Sequence, residues 1–465
     1  MNASSPPGGL PPLEIFRAYD IRGVVGESLT EIGVYQIGRA IGTLVRRAGC
    51  SEVVVGRDGR LSGPALSDAL VRGLAATGCG VIDVGMVPTP VVYFASHEFK
   101  TGCGVAVTGS HNPPNYNGLK VVVAGKTLSG DDILGIRALI EADDLETGFG
   151  HVREADALTA YRERILGDVK LARPLRVGVD CGNGVAGASA PALIEALGCE
   201  VVPLFAEVDG NFPNHHPDPT KPENLQDLIE RVRRDGLDLG VAFDGDGDRL
   251  GVVTASGRIV FADRLMILFA RDVLSRVPGA TILFDVKCTR HLPRAIAAAG
   301  GKPMMWKTGH SLIKAKMAET GAALAGEMSG HIFIKERWYG FDDGVYAACR
   351  LLEYLSRQAE TPEQIFAAIP DSASTPELHL HLQEGEHFAL MKQLVAAAQF
   401  PGADVSTLDG VRADYPDGFG LVRASNTTPV LVMRFEADDA AALERIEAQF
   451  RVLFARVRPD LELPF

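Results

Sequence analysis

One pattern recurs three times along this chain of 465 residues: a strand, a loop that carries an aspartate, a helix, a glycine and a second strand. The copies span residues 53–84, 176–204 and 281–306. The glycine stands where a helix ends in left-handed geometry, and a strand that returns through a helix pairs in parallel with the first. Chance matches to so short a pattern are the alternative explanation. The domain-sized spacing of the copies favours three related α/β domains, each with a parallel or mixed sheet.

The sequence between and after the repeats predicts the domain boundaries. In the last hundred residues, 378–382 alternates like a half-buried strand, whereas 430–435 reads as a strand and 440–454 as a helix. We therefore expect a smaller C-terminal α+β domain, joined through a Pro/Ser/Thr-rich linker at 370–376. The expected order is a flexible N-terminal segment at 1–12 and four domains at 13–153, 154–257, 258–369 and 370–465.

Composition excludes several classes of protein. The net charge of −13 argues against a nucleic-acid-binding surface, which needs a basic patch. No uncharged apolar run approaches the roughly 20 residues of a membrane span, and the first residues lack the regions of a signal peptide. The seven cysteines are scattered and never form a C-x-x-C motif, which fits reduced thiols. We expect a cytoplasmic protein with no nucleic-acid or membrane partner.

The segment 108–114, Thr-Gly-Ser-His-Asn-Pro-Pro, presents a serine at the end of a β-like run. Its Gly, Asn and Pro residues accept the unusual backbone angles of an open loop. Ser110 is thus a candidate acceptor of a phosphoryl or acyl group, and the alternative is an ordinary turn serine. His111 adds a titratable group. A hairpin would return Lys120 toward the serine, where its ammonium group could offset the charge of a phosphoserine or assist transfer of the serine's proton. The loop lacks the G-x-S-x-G elbow of Ser-His-Asp hydrolases.

Three aspartates at alternate positions, Asp244, Asp246 and Asp248, follow a buried-strand signature. Alternate side chains of an extended segment face one way, so three carboxylates can converge on one cation. An EF-hand is excluded because its sixth position would be Arg249 instead of glycine. A solvated acidic turn is the alternative, although its like charges would repel. Oxygen ligands favour Mg²⁺ with a phosphate completing its shell, and Arg249 is placed to contact that phosphate.

Two further loops carry weaker signals. In 326–331, glycines flank Glu327 and Ser329, which can hydrogen-bond sugar hydroxyls, although an ordinary turn would have the same composition. In 423–429, an arginine, hydroxyls and an amide can bind a phosphate, and a polar turn is the alternative. Lys287 and His310 lie at predicted strand ends, where a surface position is the default interpretation.

The segments 16–23, 108–114, 244–249, 326–331 and 423–429 resemble motifs of the α-D-phosphohexomutases, most closely the bacterial phosphomannomutase/phosphoglucomutase branch. The resemblance covers essentially the whole chain, with the motifs in the family order. It implies four domains around a central cleft, namely a phosphoserine domain, a metal-binding domain, a sugar-recognition domain and a C-terminal phosphate-binding domain.

The resemblance also implies roles for individual residues. Ser110 would carry the phosphoryl group, and the three aspartates would bind Mg²⁺ together with the phosphate on Ser110. Glu327 and Ser329 would bind sugar hydroxyls. The substrate phosphate would lie on four residues of the last motif: Arg423, Ser425, Asn426 and Thr427. Further active-site positions are matched by Tyr19, Arg22, Lys120, Arg249, Lys287 and His310.

The implied reaction is reversible phosphoryl transfer between C1 and C6 of mannose and glucose phosphates. Phosphoserine 110 gives its phosphoryl group to the sugar, and glucose or mannose 1,6-bisphosphate serves as intermediate and activator. We expect a monomer rather than an oligomer. Three alternatives remain at this point: a phosphoglucosamine mutase, a metal-dependent phosphohydrolase that uses Asp244 as its nucleophile, and a non-catalytic protein that binds sugar phosphates or cations.

Overall fold

A computed structural model describes residues 10–426 and 428–465, which form two compact units. The first unit contains the described residues up to 262 together with 329–366, and the second contains 263–328 together with the described residues from 367 onward. Residues 1–9 of the predicted flexible segment, and Thr427, lie outside the described residues. Within the described part of the chain, no helix has the length and apolar character needed to cross a membrane.

The N-terminal part of the first unit is built on a seven-stranded mixed sheet. Its strands are β1 Ile21–Val24, β2 Glu52–Arg57, β3 Gly80–Met86, β4 Gly104–Val107, β5 Tyr116–Val123, β6 Lys126–Thr127 and β7 Val152–Glu154. Its helices are α1 Glu31–Arg47, α2 Gly63–Ala75, α3 Thr89–Glu98 and α4 Asp131–Glu141. The strand order is β1-β5-β4-β2-β3-β7, with β6 paired to β5. Helices α1 and α2 pack closely because Gly73 has no side chain. A Cβ at this position would lie only 2.2 Å from the Tyr35 carbonyl oxygen.

A second, five-stranded mixed sheet follows in the same unit. Its elements are α5 Ala157–Asp168, β8 Arg176–Asp180, α6 Ala190–Ala196, β9 Glu200–Leu204, α7 Gln226–Asp235, β10 Leu239–Phe243, β11 Leu250–Thr254 and β12 Ile259–Val260. Strand β8 is parallel to β9 and β10, whereas β10 and β11 form an antiparallel hairpin. The helix predicted near residue 188 begins at Ala190, because 185–188 forms a separate 3₁₀ turn.

The second unit contains a parallel sheet and an antiparallel sheet. The elements of the region around the third repeat are α8 Ala262–Arg276, β13 Thr281–Asp285, α9 His291–Ala298, β14 Lys302–Trp306, α10 His310–Thr320, β15 Leu324–Gly326, β16 Ile332–Ile334, α11 Gly344–Arg357 and α12 Pro362–Ala367. Strand β13 pairs in parallel with β14 and with β15. Strand β16 and helix α11 belong to the first unit.

The C-terminal domain is a sheet covered by two helices. Its elements are β17 Ala373–Ser374, β18 Leu378–His381, α13 Glu386–Ala397, β19 Asp404–Ser406, β20 Val411–Tyr415, β21 Gly418–Ala424, β22 Val430–Ala437 and α14 Ala440–Val457. The strand order is β17-β22-β21-β20-β19, with β18 also paired to β22. The segment predicted as a linker thus contributes the edge strand β17, a long-range pairing that its composition does not indicate.

The three repeats form the structure that their pattern predicts. Strands β2 and β3, β8 and β9, and β13 and β14 are parallel pairs, each joined through a helix. The fold class is confirmed: three similar α/β domains with mixed or parallel sheets precede a smaller α+β domain.

Asp343, the N-cap of α11 in the first unit, is a buried carboxyl group whose protonation makes stability depend on pH. Its carboxylate accepts hydrogen bonds from the Tyr346 backbone N–H at 2.8 Å and from the Tyr161 hydroxyl at 2.9 Å. Burial nevertheless raises the pKa of Asp343 to about 7, from an ordinary value of 3.8. The folded protein therefore holds this proton more tightly than the unfolded chain, and stability from this group is lost as pH rises from about 4 through about 7.

We expect Asp343→Asn to gain stability relative to the parent as pH rises, because asparagine keeps the capping acceptor and carries no buried charge. The gain should be roughly 1–3 kcal/mol between about pH 5 and about pH 8. Urea denaturation at both pH values measures it. Asp156→Asn is the control, since Asp156 caps α5 at an exposed position and its pKa is lowered. A pH-independent difference for Asp343→Asn would contradict the expectation.

Candidate active site

Ser110 lies in the connection between the antiparallel strands β4 and β5. The hairpin is as predicted, with Ala106 opposite Lys120. Ser110 is buried and has a φ of 49°, a left-handed conformation that costs a non-glycine residue roughly 1–2 kcal/mol. Its Oγ donates a hydrogen bond of 2.9 Å to Asp244 Oδ2 and lies 3.2 Å from His111 Nδ1. The loop thus fixes one hydroxyl against the aspartate cluster.

The three aspartates occupy the tight loop between β10 and β11, where Gly247 has a φ of 77°. All three carboxylates are fully buried, and one oxygen of each lies within 4.8 Å of one oxygen of the other two. Asp244 Oδ1 accepts the backbone N–H groups of Asp248 and Arg249, which closes the loop around it. The predicted convergence of the three side chains is therefore present.

Lys120 is the main counter-charge to this cluster. Its Nζ donates to Asp246 Oδ2 at 2.8 Å and to Asp248 Oδ2 at 2.5 Å. Burial lowers the pKa of Lys120, but the two carboxylates outweigh burial and hold this pKa well above its usual value. Thr89 Oγ1 adds a hydrogen bond of 2.6 Å to Asp246 Oδ2. Lys120 is consequently a fixed cation in this arrangement.

The cluster fits a divalent cation. The Oδ1 atoms of Asp246 and Asp248 are buried and accept no hydrogen bond from the described residues, and Asp248 Oδ1 lies 3.5 Å from His331 Nδ1. Burial and the charges of Asp246 and Asp248 raise the pKa of Asp244 well above its usual value. A bound cation would relieve that repulsion, and an all-oxygen donor set suits a hard ion.

Arg249 is held by a chain of polar side chains. Its Nε donates to His331 Nε2 at 3.0 Å, and His331 Nδ1 lies 3.2 Å from Asp342 Oδ2. Because Nε2 accepts a hydrogen bond, the ring proton belongs on Nδ1, facing the carboxylate. The nearest approach of Arg249 Nε to Asp244 Oδ2 is 3.8 Å. Among the residues that the structure describes, neither Nη group of Arg249 donates a hydrogen bond.

Arg22 contacts the loop that carries His111. The guanidinium of Arg22, on β1, donates to Asn112 Oδ1 and to Asp20 Oδ2. Burial, together with the positive charges of Arg249 and Arg22, holds the pKa of His111 well below its usual value. His111 is therefore neutral. Tyr19 is half-buried in the bend before β1.

The second unit brings together a different set of predicted residues. Glu327 is buried and accepts the Gly309 backbone N–H at 2.6 Å, next to His310 at the start of α10. Lys287 Nζ donates to Glu377 Oε1 at 2.6 Å. Burial lowers the pKa of Lys287, but the carboxylates of Glu377 and Asp285 together outweigh burial and raise this pKa above its usual value.

The last motif is linked to the third repeat within this unit. Asp409 Oδ2 accepts the Arg423 Nε–H at 3.0 Å and the Thr308 backbone N–H at 3.0 Å. The Ser425 hydroxyl lies 3.1 Å from the Thr428 hydroxyl, and Asn426 follows in the same turn. Thr427 lies outside the described residues, and Ser329 belongs to the first unit.

Four segments of the chain match the four domains of one protein family. Residues 13–147, 157–257 and 261–372 match phosphoglucomutase/phosphomannomutase alpha/beta/alpha domains I, II and III, and 381–452 match the C-terminal domain. The chain belongs to the phosphoglucomutase/phosphomannomutase family.

Relatives in this family cover nearly the whole chain. A phosphomannomutase/phosphoglucomutase of Pseudomonas aeruginosa is 59% identical over 454 residues, which are 98% of each protein. A phosphoglucomutase of Neisseria gonorrhoeae is 53% identical over 95% of this chain and 96% of its own. The crystal structure of a family protein from Burkholderia thailandensis has a TM-score of 0.93 at 55% identity and covers 97% of this chain and 99% of its own. The chain is accordingly a phosphohexose mutase, an isomerase.

Several residues that contact the family motifs here were not predicted from the sequence. Predicted site residues are bound by Thr89, His331, Glu377 and Asp409, and His331 is in turn contacted by Asp342. Only His331 lies inside one of the motifs, 326–331, in which Glu327 and Ser329 are the predicted site residues. A histidine directly after the glycine of that motif was the available signal.

Proposed function

We propose that this phosphohexomutase moves a phosphoryl group between C1 and C6 of mannose and glucose phosphates through a phosphoserine at Ser110. The observation that carries the proposal is the contact of 2.9 Å between Ser110 Oγ and Asp244 Oδ2, on a left-handed loop, beside two more buried carboxylates. A hydroxyl fixed against a cation site is the arrangement that phosphoryl transfer to and from an oxygen requires.

Asp244, Asp246 and Asp248 are proposed to hold Mg²⁺, with a phosphate oxygen on Ser110 as a further ligand. Mg²⁺ supplies positive charge that stabilises the transferring phosphoryl group. Lys120 holds Oδ2 of Asp246 and of Asp248, and their Oδ1 atoms, which accept no hydrogen bond from the described residues, remain available to a cation. Arg249, fixed through His331, balances charge on the same group.

The forward step breaks the bond between phosphorus and Ser110 Oγ and forms one between phosphorus and a sugar hydroxyl oxygen. The sugar loses a proton and Ser110 regains one. His111 Nδ1 and Asp244 Oδ2 are the neighbours of Ser110 Oγ, and His111 is neutral, so we assign proton exchange to His111. Lys120 and Arg22 are assigned to charge balance, because the pKa of Lys120 is held well above its usual value.

Recognition of the sugar phosphate is proposed for the remaining predicted residues. Glu327 and Ser329 would bind sugar hydroxyls, and the phosphate that is not reacting would lie on Arg423, Ser425, Asn426 and Thr427. Tyr19, Lys287 and His310 would contact the substrate as well. The hexose 1,6-bisphosphate formed in the first half-reaction then returns its other phosphate to Ser110, and added bisphosphate activates a dephosphorylated enzyme.

Phosphate mapping tests the proposal. After incubation with glucose 1,6-bisphosphate, trypsin separates the candidate acceptors, because Ser110 lies in the peptide 101–120 and Asp244 in the peptide 235–249. We expect acid-stable phosphate on peptide 101–120. Phosphate on peptide 235–249 would replace the proposal with the phosphohydrolase alternative.

We expect only weak discrimination between glucose 1-phosphate and mannose 1-phosphate. The sugars differ at C2, whereas the proposed contacts grip other hydroxyls and the shared phosphate. The ratio of kcat/KM should stay within about thirtyfold, or about 2 kcal/mol. Glu327→Ala should reduce kcat/KM for both sugars alike, and Glu319→Ala, on the exposed face of α10, is the control. A preference above about a thousandfold would show a dedicated C2 contact.

A further inference from the structure

Arg60, in the loop after β2, is a fully buried arginine whose five N–H groups all have acceptors. Nε donates to Asp58 Oδ2 at 3.2 Å. Nη1 donates to the carbonyl oxygens of Pro113 at 2.5 Å and Tyr116 at 2.9 Å. Nη2 donates to the carbonyl oxygens of Ser110 at 2.8 Å and Asn112 at 2.6 Å. Four of the five acceptors therefore belong to the loop that carries Ser110.

Asp58 completes this arrangement from the other side. Its Oδ2 accepts the Thr108 hydroxyl at 2.8 Å and the Gly109 backbone N–H at 3.1 Å, as well as Arg60 Nε. The Thr108 hydroxyl oxygen in turn accepts the Ser110 backbone N–H at 2.8 Å. Two side chains that precede the loop by about fifty positions thus bind four of its carbonyl oxygens, the Gly109 N–H and the Thr108 hydroxyl.

The guanidinium packs closely against Gly109 of the loop. A Cβ at Gly109 would lie 2.4 Å from Arg60 Cζ. As long as Arg60 occupies this position, residue 109 of the motif can only be glycine. The Phe212 ring lies 5.2 Å from Arg60 Cζ on another side. Lysine has one nitrogen in place of a planar fork and cannot reach four carbonyl oxygens at once.

We propose that Arg60, oriented by Asp58, is a positioning residue that holds the Ser110 loop in its left-handed conformation and so aims Ser110 Oγ at the metal cluster. The inference rests on the proposed role of Ser110. A misplacement of about 1 Å at a reacting atom costs roughly a hundredfold in rate. Because the guanidinium of Arg60 donates its hydrogen bonds to carbonyl oxygens of the loop and to Asp58, its loss should affect the chemical step more than substrate binding.

The test compares Arg60→Lys with Arg72→Lys, an exposed arginine paired with Asp68 on α2. We expect kcat of Arg60→Lys to fall at least about a hundredfold with KM within about threefold, and Arg72→Lys to match the parent. Hydrogen exchange of the amides in 108–118 should accelerate at least about tenfold in Arg60→Lys, while that of 244–249 stays unchanged. A kcat within about threefold of the parent, or faster exchange throughout the first unit, would overturn the proposal.

Gly109→Ala provides an independent route if Arg60→Lys does not fold. The added methyl pushes on the guanidinium from the loop side, and Gly109 is not among the residues with positive φ, so its backbone accepts alanine. The same local acceleration of exchange and the same loss of kcat are expected, and normal values would contradict the inference. Ser110→Ala separates the proposed role of Ser110 as phosphoryl carrier from the proposed positioning role of Arg60. If Ser110→Ala is inactive but both loop variants are normal, only the role of Arg60 fails.

Discussion

Ser110→Ala should lose at least about three orders of magnitude in turnover, because the phosphoryl group then has no covalent carrier. The substitution removes the hydroxyl alone, and the alanine in its place would share the left-handed backbone of Ser110. A coupled mutase assay with glucose 1-phosphate measures the loss, and intact mass should show no bound phosphate.

Ser129→Ala is the matched control, since Ser129 lies in a turn of the same domain before α4. We expect it to retain the activity and the phosphate of the parent. Near-normal turnover in Ser110→Ala would refute the assignment of Ser110 as the phosphoryl carrier. That result would not depend on whether the three aspartates bind a metal.

Asp246→Asn should weaken Mg²⁺ binding at least about tenfold and lower the rate, with partial recovery as Mg²⁺ is raised. Asp246 is the most informative of the three aspartates to substitute. Its Oδ1 is buried and accepts no hydrogen bond from the described residues, whereas its Oδ2 accepts hydrogen bonds from Lys120 and Thr89. Asparagine keeps the shape of the side chain and removes one ligand charge. Isothermal calorimetry on the dephosphorylated protein measures the affinity directly.

The control for the metal site is Asp180→Asn. Asp180 is equally buried at the end of β8 in the same sheet, but its carboxylate is paired with His215 Nε2 at 3.0 Å. Its loss should leave Mg²⁺ affinity unchanged. Equal Mg²⁺ affinity in the parent and in Asn variants of all three clustered aspartates would end the proposal of a shared cation site.

Features encoded by neighbouring residues could be predicted from the sequence. Ser110 and the three aspartates each lie within a few residues of the rest of their own motif on a loop, so spacing alone groups them. The parallel pairs followed from apolar runs and helix-ending glycines, and the hairpin that carries Lys120 followed from its turn residues.

Features that join distant segments could not be predicted. Nothing near Lys120 indicates that it pairs with Asp246 and Asp248, 126 and 128 positions later, instead of assisting the serine's proton. Arg60 reads as an ordinary surface arginine until the fold places four carbonyl oxygens around it. The sequence gives the charge of each side chain, but which group it pairs with depends on the folded structure.

The ion pairs of Lys120 have a consequence for how the reaction intermediate stays bound. With the proposed Mg²⁺ bound, three ionised aspartates, Lys120 and Arg249 would sum to one positive charge. A phosphoserine at position 110, with about two negative charges, would bring that sum to one negative charge. Under the proposed mechanism the site would therefore attract anions after it has transferred its phosphoryl group. A bisphosphate would then be held most tightly when its escape would leave Ser110 without a phosphoryl group.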